Sequence, residues 1–163
     1  MKKTVFRAVT AVVLILHMTF IFSLSSQVAE DSQKLSGGFT QKVFSVFYPG
    51  FSEMTEEQQQ QIIEGITFPI RKLAHFSIYF LLGVFSFLAV ISYDKIAFWL
   101  RCVISFLICF VYAASDEIHQ LYVPGRSGEF RDVLIDSSGA LLAVSAMALI
   151  AFLRYKKRIG AKG

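Results

Sequence analysis

Residues 96–115 and 133–153 each carry almost no charge over about the length of a bilayer crossing. Between them lies YAASDEIHQLYVPGRSGEFRDVLID, residues 112–136. This island holds Asp116, Glu117, His119, Gln120, Arg126, Glu129, Arg131, Asp132 and Asp136, in a chain whose charged content is only 17%. Charge beside hydrocarbon is costly, so such a cluster must be paired, hydrated or functional. The apolar runs themselves exclude a water-soluble core. At 163 residues and 55% hydrophobic, with 17 Phe, the chain has more apolar surface than one soluble domain can bury.

Two further runs complete the pattern. Lys2, Lys3 and Arg7 precede an apolar stretch at residues 8–24, and Arg71 and Lys72 introduce another at 73–91. A cleavable signal peptide competes for the first, with Ser23 and Ser25 as small residues before a cut, but the run is longer than a usual signal core. The expectation is an all-α fold: one membrane domain over residues 1–163, an integral four-helix bundle spanning at 8–24, 73–91, 96–115 and 133–153. Residues 25–70, punctuated by Gly37, Gly38, Pro49 and Gly50, read as an extracytoplasmic loop. Within it, residues 55–67 predict a short amphipathic helix, with Thr55 and Gln58 at capping-box spacing and Ile62, Ile63 and Ile66 on one side. Aromatic-rich residues 43–51 suit the interface.

Basic residues fix the expected orientation. Ten of the sixteen lie on the side of the termini and the 92–97 turn, against one of the twelve acids. That places both termini of a multi-pass membrane protein in the cytoplasm. Because Lys and Arg gather at the chain ends beside apolar runs, they are a topology signal rather than a nucleic-acid surface. His17, Cys102 and Cys109 fall inside spans, where an internally bonded histidine and small apolar fillers are the simplest readings.

Helical spacing sorts the polar residues. Arg71, His75 and Tyr79 stand at i, i+4 and i+8 and share a face, with Lys72 adjacent. Asp116 shares a face with His119 and Gln120, and Glu117 turns partly aside. Asp132 and Asp136 look in one direction, and Gly139 and Ala143 continue as a small-xxx-small pair that lets another helix come close. The loops bring both patches to the outer mouth of the bundle.

Three readings compete for that convergence. In the first, the charges only neutralise each other where helices meet. In the second, His75, Glu117 and Asp116 are catalytic: Glu117 as general base on water, His75 or His119 as acid, and Arg71 and Arg126 as clamps on an anion. In the third, the same site binds without reaction. The binding candidates are Arg71, Lys72, Tyr79, His119, Gln120, Arg126, Asp132 and Asp136. No cofactor signature is evident. A divalent metal is conceivable from the His and carboxylate content, but no HExxH or comparable spacing supports it.

The stretches FSLSSQVAEDSQKLS, RKLAHFSIYFLLG and DEIHQLYVPGRSGEFRDVLIDSSG together resemble the VanZ-like family of small bacterial membrane proteins. The family pattern falls on Arg71, Lys72, His75, Tyr79, Asp116, Glu117, Gln120, Arg126 and Asp132, and on Ser26, Gln27, Ser32 and Ser36. This chain departs from it with Asp136 where Asn is usual and Ala143 where Gly is usual. The resemblance implies an envelope protein tied to glycopeptide (teicoplanin) resistance. Its expected partners are the lipid bilayer and an anionic lipid, a lipid-linked cell-wall precursor or the glycopeptide drug, with no nucleic acid.

Overall fold

The computed structural model describes residues 2–160, with side chains at all of these except 2 and 29–33. Five helices form: α1 (Lys2–Ser25), α2 (Ala29–Phe47), α3 (Glu56–Ile91), α4 (Phe98–Gln120) and α5 (Phe130–Gly160). Of these, α1, α3, α4 and α5 are long and apolar enough to cross a bilayer. All four expected spans are therefore present. Helix closes every backbone hydrogen bond within its own segment, which hydrocarbon demands. Val9, Val12 and Leu16 on α1, Leu107 and Val111 on α4, and Leu141 and Leu149 on α5 face outward. In water these would form an aggregation surface; lipid tails are a matching solvent.

The segment between α1 and the second span differs from expectation. Thr55 does begin a helix with a capping box, accepting from the Gln58 N–H while the Gln58 side chain accepts from the Thr55 N–H. That helix is not short: it runs through Pro69 to Ile91 as α3, about 54 Å at 1.5 Å per residue against about 30 Å of hydrocarbon. Pro69 cannot donate to the carbonyl of Gly65 four residues back. Gly65 is exposed and nothing lies within 4 Å of where its Cβ would be, so no other element crowds this turn of the helix. The expected loop also contains α2, which passes through Gly37 and Gly38 despite their poor helix propensity. Packing decides the matter: Thr40 is fully buried, and a Cβ on Gly37 would touch Ile63 of α3 at 3.8 Å. Phe44 and the buried Phe51 meet at 5.7 Å between ring centroids and close the segment near Pro49.

α3 is the hub, packing on α5 most extensively and on α4 and α1 as well. The α3–α5 approach is set by small residues. Cβ atoms placed on Gly83 and Gly139 would lie 2.7 Å from the Ala140 carbonyl and 2.3 Å from the Phe76 carbonyl. Inter-helix hydrogen bonds add to this at depth: Ser86 Oγ donates to Ser105 O at 2.9 Å and Tyr112 OH to Met18 O at 2.6 Å, while His17 Nε2 lies 3.0 Å from Ile78 O. His17 is thus internally bonded. Cys109 is buried beside Ser105, its Sγ donating to Ser105 O at 3.3 Å.

At one end, Lys3 Nζ donates to Asp94 Oδ2 at 2.6 Å and Arg7 Nη2 to Ser92 O at 2.7 Å. The Lys3 ammonium holds the Asp94 carboxyl below its usual range. These contacts put the start of α1 beside the α3–α4 turn. The opposite end gathers the finish of α1, the finish of α4 and the start of α5 around the middle of α3, and there the polar residues meet.

Candidate functional site

Three side-chain links stitch the two polar patches together. The Lys72 ammonium pairs with Asp132, His75 Nδ1 lies 3.6 Å from Asp136 Oδ1, and Tyr79 OH donates to Asp116 Oδ2 at 3.4 Å. α3 therefore reaches α5 through Lys72 and His75 and α4 through Tyr79. One residue apart on a helix is about 100° of rotation. Lys72 accordingly turns to α5 while Arg71 turns to a cavity on the other side.

That cavity has about 150 Å³ of free volume. Its polar lining comes from Arg71, His75 and Tyr79 of α3, Asp116 of α4 and Arg126 of the α4–α5 loop, joined by Ser25, Gln27 and Ser36. Ile21, Leu24, Leu35, Ala74 and Ile78 supply the apolar wall. Arg126 is brought in by its loop: Gly125 takes the left-handed φ of 74° that the turn requires, and Arg126 Nε donates to Gln27 O at 3.1 Å. Among the described residues neither Arg71 nor Arg126 has a carboxylate within ion-pair distance. Burial, and then the nearby Arg71 charge, push the Arg126 guanidinium below its ordinary pKa. The cavity lining thus sets two guanidiniums against the single carboxylate of Asp116, with neither guanidinium in ion-pair contact with it.

Other candidates from the sequence stand elsewhere. Glu117 is buried outside the cavity with both oxygens engaged: Oε1 accepts from Gln120 Nε2 at 3.2 Å and Oε2 from the Glu129 N–H at 2.9 Å. A Cβ on Gly128 would lie 2.6 Å from the Glu117 carbonyl, so the loop bearing Arg126 folds tightly over this residue. Glu117 and Gln120 thus hold the loop in place. His119 is not part of the cavity lining. It stacks on Phe22 of α1 at 4.5 Å, with Nε2 3.2 Å from Ser26 Oγ. Asp132 is taken up by Lys72, and Asp136 lies behind His75, fully buried and with no hydrogen-bond donor on either oxygen. Among the described residues no group of three or more His, Cys, Asp and Glu is placed to hold a metal ion.

Of the loop residues in the family pattern, Gln27 and Ser36 line the cavity, Ser26 contacts His119, and the side chain of Ser32 lies outside those described. Ser25 was not singled out as part of the site. Its signal is positional: it is the last residue of α1, where an apolar span gives way to polar sequence. Leu35 carries no such signal, because Gly37 and Gly38 give its helix the look of a loop.

A family model described as VanZ/LLP1 matches residues 10–153. No curated protein and no solved structure matches the chain.

Proposed function

This chain belongs to the VanZ/LLP1 family, and from that membership and the cavity's make-up we propose that it captures the anionic head of an envelope lipid or lipid-linked cell-wall precursor. One observation carries the reading: Arg71 and Arg126 line the same cavity, and among the described residues neither has a carboxylate within ion-pair distance. A phosphate or carboxylate between them supplies the missing counter-charge through charge-assisted hydrogen bonds. The apolar wall of Ile21, Leu24 and Ile78 suits the hydrocarbon of an amphiphile. The excess of basic residues at the opposite end supports placing both termini in the bacterial cytoplasm and the cavity at the outer leaflet. At about 150 Å³ the space is smaller than the roughly 300–1,000 Å³ of drug-sized sites. A tie to teicoplanin susceptibility then runs through an envelope component and not through the drug.

Arg126→Ala is expected to weaken capture of a phosphate-bearing lipid by about 1–3 kcal/mol, read by titration of the purified protein in nanodiscs. Unchanged affinity in Arg126→Ala and Arg71→Ala proteins would return the cluster to a purely structural role.

A second reading, proton transfer at the bound group, is favoured by His75, which lines the cavity with Asp136 behind its Nδ1. A carboxylate in that position orients an imidazole and fixes which ring nitrogen faces the cavity. In this reading His75 takes the base or acid role, and Glu117 serves the loop. His75→Gln should then retain lipid capture and lose turnover of a labelled lipid phosphate. If the parent protein shows no turnover, only the binding function stands.

A further inference from the structure

The cavity has a second, chemically opposite half. Asp116 is 4% exposed and lines the same space as the two arginines; its Oδ2 receives the long 3.4 Å bond from Tyr79, and although the Ser25 and Gln120 side chains stand near the carboxyl, neither reaches Oδ1 in good hydrogen-bond geometry. Ser25, also 4% exposed and lining the cavity, lies near Asp116 with its Oγ making no hydrogen bond of ordinary geometry. Buried carboxylates ordinarily collect donors on both oxygens, and one left short is costly. The cationic half has no anion in ion-pair contact and the acidic half is short of a well-placed donor, across one small volume.

Building on the anion-capture reading, we infer that the head group recognised here is zwitterionic: a phosphate or carboxylate held by Arg71 and Arg126, with an ammonium on the same head donating to Asp116 Oδ1 and Ser25 Oγ. An ammonium has three donors and full charge, so it satisfies both orphaned acceptors at once. It also offsets the Asp116 charge, which otherwise opposes entry of an anion. A bare phosphate monoester fills only the arginine half, and a glycerol-headed phosphate brings the carboxylate neutral hydroxyls in place of a charge. Specificity against them follows, because they leave the buried carboxylate without a counter-charge.

The test uses the full chain in nanodiscs and measures binding of phosphatidylethanolamine, phosphatidylglycerol and phosphatidic acid with matched acyl chains, with soluble phosphoethanolamine as competitor. The amine-bearing lipid should bind about tenfold or more tightly than the other two, the scale of one charge-assisted bond. Asp116→Asn should erase that preference while leaving phosphatidic acid bound. Ser25→Ala, a smaller change that guards against misfolding at Asp116, should reduce the preference in the same direction. Competition by soluble phosphoethanolamine would identify the head alone as sufficient, and its failure would assign the recognition to the whole lipid. Equal binding of all three lipids, unchanged by both variants, would overturn the zwitterion inference and leave anion capture standing. No binding of any lipid would remove both.

Discussion

Replacing Lys72 with alanine is expected to destabilise the bundle by about 3–5 kcal/mol, the cost of stranding a buried charge by removing its partner. The Lys72 and Asp132 side chains are only 14% and 12% exposed, and each is the other's ion-pair partner. Water therefore does little to screen what remains. The Lys72 ammonium also lies 5.1 Å from the centre of the Phe68 ring, an attraction lost in the same variant. Asp132→Ala should be damaging for the same reason. Replacing both residues with leucine should cost far less than the two single changes together, since a matched apolar pair leaves no charge behind. Equilibrium unfolding in micelles of the two single variants and the double variant measures this coupling directly. Single changes costing under about 1 kcal/mol would identify the pair as solvated, and would remove its part in holding α3 against α5.

How much of this was legible in the sequence follows from what each element depends on. The four spans are read from apolar length alone, because the bilayer imposes the same requirement on every crossing. The Arg71, His75, Tyr79 row was legible too: helical spacing fixes a shared face, and all three line the cavity. The partners were not. Spacing says that Asp116 and His119 are neighbours on α4, but not that α1 ends beside them and draws His119 onto Phe22. Glu117 looked like a free base because its occupants are the Glu129 N–H and the Gln120 side chain. A backbone donor twelve positions away leaves no signature in the string. The continuity of α3 and the existence of α2 were obscured by Pro69, Gly37 and Gly38. Their local preferences are overridden by solvent access at Gly65 and by packing around Thr40.

Gly139→Val should be the most disruptive single substitution in the molecule. A Cβ at this position would stand 2.3 Å from the Phe76 carbonyl oxygen and 3.2 Å from the Phe80 nitrogen, both backbone atoms of α3 that no rotamer change can move. The helices must separate, and Gly83, whose own Cβ would meet Ala140 and Ala143, shows that the close approach extends along the seam. The expected loss exceeds the roughly 1–3 kcal/mol of ordinary overpacking, seen as a lowered unfolding midpoint or failure to purify as a single species. Gly38→Ala in α2 is the control: nothing lies within 4 Å of its Cβ, so alanine should be neutral or stabilising by about 0.5–1 kcal/mol through helix propensity. The contrast also bears on the cavity. Phe76 follows His75, and Gly139 stands three positions after Asp136, so the backbone contact that a valine would break is the one that sets His75 against its carboxylate. A Gly139→Val protein that folds normally and captures lipid as the parent does would show that the seam tolerates wider spacing, and that the His75–Asp136 geometry does not depend on it.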